Sequence, residues 1–181
     1  MKELLNNTIK KYYEKQDIEN YLLKCKEIFQ LPSELNMYLN KSEINVTDVN
    51  SDNTWPSAKF MFDFPKFEKN GFSSTYSSTL LVSKLLPVFY LQHEFEIESP
   101  DENLVMSTLT GYDVQPYTFQ QLELEQMINK TLKLGGYTDL SYAEINEVVE
   151  GVQFPEGVTF FGPQVTVEYA IFHDILDVCL D

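Results

Sequence analysis

The stretch YLQHEFEIES, residues 90–99, places one of the two histidines of the 181-residue chain among three glutamates. An imidazole grouped with carboxylates can hold a metal ion or move a proton. Spacing decides which of these side chains can cooperate. Written as a strand, residues 88–98 put Phe89, Leu91, His93, Phe95 and Ile97 on one side. Tyr90, Gln92, Glu94, Glu96 and Glu98 fall on the other. Neighbours on one side stand about 6.8 Å apart. His93 is thus expected as a core histidine with a hydrogen-bond partner, its adjacent glutamates pointing away. A catalytic or metal site there would need the second histidine, His173, with its neighbour Asp174. That leaves one alternative open: a small hydrolase or metal-dependent enzyme built around His93, His173 and Asp174.

The glutamates make a different kind of set. Glu94, Glu96 and Glu98 form a same-side stripe with no intervening lysine, and like charges in line are locally unfavourable. Glu144 and Glu147, three apart on a predicted helix, are equally unrelieved. The excess belongs to half of the chain. Residues 1–90 hold eleven lysines and eleven acids, whereas residues 91–181 hold Lys130 and Lys133 against seventeen acids. The formal net charge of −15 therefore arises entirely in the second half. Such a field repels nucleic acid and anionic membranes and attracts cationic partners. The candidate partner-binding residues are Glu94, Glu96, Glu98, Glu144 and Glu147, and the expected partner is a basic protein, a nuclease being one example.

Other function classes lose ground on composition. The chain has no arginine, the side chain that reads phosphates in bidentate fashion and stacks on bases. It has no phosphate loop, dinucleotide fingerprint, nucleophile elbow or Cys-x-x-Cys pair. No catalytic residue, metal site or cofactor is expected on the favoured reading. Cys25 and Cys179 are too few for a disulfide framework. No apolar run is long enough to span a bilayer, the first residues lack an apolar leader, and a cytoplasmic protein is expected.

The elements that must position these residues are readable in outline. Residues 2–15 are predicted helical, with Leu5, Ile9, Tyr12 and Tyr13 on one face. Asp17 is placed to cap a second helix carrying Tyr21 and Cys25 inward. Ser33 is placed to cap a third with Leu35 and Leu39 facing in. Residues 59–64 alternate as a strand, residues 75–84 read as another with a helix over 77–86 as the alternative, and residues 99–116 read as loop. Thr118 should cap a long helix stopped at Gly135-Gly136, and Ser141 with Glu144 should form a capping box on the next. Residues 158–161, a turn at Gly162-Pro163 and residues 165–172 read as a hairpin. The order of elements lacks strict βα alternation. It predicts a single α+β domain, residues 1–181, with a mainly antiparallel sheet, helices packed on one face, and a helical portion over residues 1–40.

One segment carries a family likeness. In KEIFQLPSELNMYLNK a helix leads through Leu-Pro into a short helix that ends in leucine. Over residues 24–41 this resembles the start of the SMI1/KNR4-type domains, although the Asn-Gly-Gly that follows there is absent. Many bacterial members of that group resemble immunity proteins that bind and neutralise a cognate toxin. The resemblance implies a binding role and brings no functional residue with it.

Overall fold

The structure, a computed structural model, describes residues 2–49, 54–101, 103, 105–156 and 164–179. Its centre is a seven-stranded sheet whose main path runs β1 (Asn45–Asp48), β2 (Ser57–Asp63), β4 (Phe72–Ser83), β5 (Val88–Glu98) and β6 (Thr108–Asp113). Each neighbouring pair on this path is antiparallel. The sequence explains the breaks. Pro65 has no N–H to give the ladder, so β2 stops at Asp63 and the chain resumes as β3 (Phe67–Lys69) farther along the same strand, β4. Asn70 and Gly71 connect β3 to β4 with φ of 53° and 80°. Both central residues of this two-residue loop are left-handed, the geometry that matches strand twist.

Alternation on the central strands builds two cores. Phe60, Phe62, Leu80, Val82, Phe89 and Leu91 point to one face, where Leu124, Ile128 and Leu132 of α4 (Phe119–Leu134) cover them with Leu35 and Leu39 of α3 (Ser33–Leu39). Leu81, Val88 and Tyr90 point to the other. There they meet α1 (Lys2–Ile9), the π-helical turn Lys10–Glu14, α2 (Ile18–Cys25), α5 (Tyr142–Ile145) and α6 (Val167–Phe172). The fold is α+β with a mainly antiparallel sheet, the two-residue β7 (Thr138–Asp139) pairing parallel to β5, and N-terminal helices. Helices cover both faces, however, where the sequence predicts one, because Leu80/Leu81 and Phe89/Tyr90 give these strands an apolar residue on each side.

Local chemistry fixes the helix starts. Asp17 accepts from the Asn20 N–H. Thr118 with Gln121, and Ser141 with Glu144, form complete capping boxes. Gln121 does more than cap. It is fully buried; its Oε1 accepts the Tyr117 and Thr118 N–H groups at 2.9 and 3.1 Å, while its Nε2 donates to the Ser77 and Glu94 carbonyls at 2.9 and 3.2 Å. One side chain thereby ties the start of α4 to strands β4 and β5.

Four sequence expectations are corrected. Ser33 is the first residue of α3 and its cap position is Pro32, with no side-chain cap. The segment 108–113 is strand β6, not loop. The helix after Ser141 ends at Ile145, and Val148 forms an isolated bridge to Thr166. Residues 167–172 form α6 in place of a strand: Val167, Ala170 and Ile171 are buried at three- and four-residue spacing, and the Tyr13 hydroxyl donates to the Ala170 carbonyl at 2.7 Å. The predicted strand 158–161 and the turn at Gly162-Pro163 lie outside the described residues. No helix among the described residues is long and apolar enough to cross a membrane.

Candidate functional site

His93 lies on the face of β5 covered by α4 and is 0% exposed. Its register partner on β4 is Ser78, whose hydroxyl lies 2.8 Å from Nδ1. The Nε2 atom has no hydrogen-bond partner among the described residues. Burial pushes the imidazole down to about 4, against a smaller upward pull from Asp113, its register partner on β6. His93 is therefore neutral at pH 7, paired to one hydroxyl, as expected of a core histidine.

The second histidine is elsewhere. His173 follows α6, which packs on the opposite face and whose Ile171 and Phe172 carbonyls accept from Ser83 and Ser57. Ser83 and Ser78 are five residues apart on β4, about 16 Å, and the sheet lies between the two imidazoles. His173 packs against the Tyr169 ring and lies 3.8 Å from Glu168. Asp174 accepts from the Tyr21 hydroxyl at 3.1 Å and from the Val178 and Cys179 N–H groups at 2.9 and 2.6 Å. Its oxygens are committed to holding the C-terminal segment on α2. No group of three or more His, Cys, Asp or Glu side chains among the described residues could hold a metal ion. His93, His173 and Asp174 do not form one site.

The acidic stripe does form a surface. Glu94, Glu96 and Glu98 share the face of β5 that carries Tyr90, beyond the point where the helices stop covering it. Glu96 and Glu98 are exposed and Glu94 is half-buried. Across β4 the same face presents Ser73, Thr75, Ser77 and Thr79, and Asp63 of β2 continues the row through Ser77 to Glu94. Asp63, Thr75, Ser77, Glu94 and Glu96 line part of a groove of about 390 Å³. Ser73 donates to Glu98 at 2.8 Å and Thr79 to Glu94 at 3.2 Å. Among the described residues no lysine or histidine forms an ion pair with Glu94, Glu96, Glu98 or Asp63. The two lysines of the acidic half are engaged away from it, Lys130 with Glu34 and Lys133 with Asp139.

Glu144 and Glu147 are not part of this surface. They line a hollow with Leu86 and Val88, at the other end of β5. From Val88 to Glu96 is about 26 Å along the strand. Glu147 pairs with Lys2 at 3.5 Å. Glu144 accepts from the Ser141 N–H and hydroxyl at 2.8 and 2.7 Å, which holds its carboxyl below the usual range. The candidate surface therefore reduces to Glu94, Glu96 and Glu98, joined by Asp63.

Two features escaped the sequence reading. One is β6, which borders the glutamates; the glycine and aspartate of TLTGYD are depleted in strands, and none of its residues is buried. The other is the meeting of the two cysteines. Cys25 is buried in α2, and Cys179 packs on the cluster that contains it. The neighbouring Cys25 and burial both push the Cys179 thiol up, so it stays protonated.

Comparison with family models, with curated proteins and with solved structures returned no match.

Proposed function

We propose that the protein is a non-enzymatic binding protein that captures a basic protein partner on the Glu94–Glu96–Glu98 face of its sheet. One observation carries this reading: four carboxylates share an open sheet face with a row of hydroxyls, and none of them is paired to a cation among the described residues. A fold that gains nothing locally from aligned like charges gains a cationic partner's attraction from them, since complementary potentials speed encounter and fix orientation. The immunity or antitoxin role implied by the resemblance over residues 24–41 is the specific form of this reading. In that form the partner is a toxin, and a nuclease, which must itself be cationic to hold nucleic acid, suits the charge.

The test uses oligolysine as the cationic probe. Charge reversal at Glu94, Glu96 and Glu98 to lysine should slow association at least tenfold at low salt and flatten its salt dependence. Unchanged rates and unchanged salt dependence would place the binding surface elsewhere.

A further inference from the structure

We infer that the outer edge of β6 receives an extended segment of the partner as an added strand, with basic residues alternating with apolar ones; this rests on the acidic-face reading above. The hydrogen-bond phase supplies the first argument. The Ser99 N–H donates to the Ser107 carbonyl at 2.8 Å. In an antiparallel ladder bonded and non-bonded pairs alternate, so Leu109, Gly111 and Asp113 bond back to β5, opposite Ile97, Phe95 and His93. Thr108, Thr110 and Tyr112 must then turn their N–H and C=O groups outward. Among the described residues no strand pairs on that side.

Exposed edges of natural sheets are commonly blunted by lysine, proline, a bulge or a covering element. Among the described residues β6 has none of these: Thr-Leu-Thr-Gly-Tyr-Asp runs in unbroken register with β5, and Leu109 and Tyr112 are each 62% exposed. The opposite edge of the sheet, β1, offers only four residues. β6 is the open template.

The two faces beside this edge define what fits. Thr108, Thr110 and Tyr112 pair with Glu98, Glu96 and Glu94, so their side chains share the acidic face. A strand added outside β6 would lie about two strand spacings from the glutamates, roughly 10 Å. That is within reach of a lysine or arginine stem lying across the threonines. On the other face stand Leu109 and the Phe95 ring, which lies over Gly111 so closely that a Cβ there would meet it at 2.6 Å. The next residues of the added strand would rest on this apolar strip. Edge pairing through main-chain bonds, with alternate side chains giving specificity, is an established recognition mode. A second copy of this chain fits poorly, because it would set another Glu94–Glu96–Glu98 stripe beside the first in a chain of net charge −15.

The probe is a short synthetic peptide alternating lysine and valine, compared with the same peptide N-methylated along its backbone. Strand addition predicts that the unmodified peptide slows amide hydrogen exchange at Thr108, Thr110 and Tyr112 at least tenfold, and that the N-methylated peptide, equal in charge, gives no protection. Thr110→Pro, tolerated where an edge N–H faces solvent, should weaken binding of the unmodified peptide at least tenfold. Equal binding of both peptides, or binding without protection of those three amides, would overturn the inference. If charge reversal at Glu94, Glu96 and Glu98 still weakened both peptides in that case, the acidic-face reading would stand alone; if it weakened neither, that reading would fall as well.

Discussion

Ser78 Oγ and His93 Nδ1 lie 2.8 Å apart between β4 and β5, both sealed from solvent. This contact spends the imidazole on structure. The hydroxyl is the ring's one partner among the described residues, and α4 covers the face that a substrate would have to reach. The histidine that first draws the eye is a folding element.

Acid should destabilise the fold through this residue. Burial holds His93 at about 4 in the folded protein, below the ordinary value of 6.5. The unfolded chain therefore takes up the proton first. Stability is full above pH 6.5, falls as the pH drops toward 4, and the His93 contribution then levels off after a loss of about 3 kcal/mol. Urea unfolding across this range checks it. His93→Gln should remove that part of the slope; a slope identical to the parent's would contradict the assignment.

Gln121 should be costly to replace. Gln121→Leu keeps the volume but strands two carbonyls and two N–H groups in a buried position. A loss of about 2–4 kcal/mol is expected, measured by denaturant midpoint at unchanged m-value. A loss below the scatter of surface substitutions would mean that water replaces the amide.

Gly111 is held small by a neighbour. A Cβ at this position meets the Phe95 ring at 2.6 Å, and the ring packs edge-on against Tyr117 at 4.8 Å. Gly111→Ala should cost about 1–3 kcal/mol and shift the aromatic resonances of Phe95 and Tyr117. A neutral substitution with unchanged resonances would show that β6 does not pack as described.

The cysteines should be slow to react. Cys25 is buried, and Cys179 is held protonated by its neighbour and by burial. A maleimide at neutral pH should label the folded protein far more slowly than the protein in denaturant, because the thiolate is the reactive form. Equal rates would contradict the packing of the C-terminal segment on α2.

Much of this was legible where periodicity is strong. Phe60 and Phe62 announce β2, residues 88–98 announce β5 to the residue, and Thr118 with Gly135 brackets α4. The misreadings share a physical cause. Val165, Val167, Tyr169 and Ile171 alternate as a strand would, yet Val167, Ala170 and Ile171 also satisfy a helical face, and packing against Tyr13, Ser57 and Ser83 decides for the helix. β6 lacks a buried face, so no apolar pattern marks it. Glu144 and Glu147 matched the acidic stripe in composition alone; only tertiary structure brings Lys2 against Glu147.

The central claim is that the acids of one sheet face, beyond the net charge of the chain, receive the cationic partner. Association rates with oligolysine measure it directly, comparing Glu94/Glu96/Glu98→Lys with Glu3/Glu14/Glu19→Lys, which changes net charge equally at exposed sites on the N-terminal helical segment. The account predicts at least a tenfold slower association for the first variant and a much smaller change for the second. Equal slowing in the two variants would contradict it.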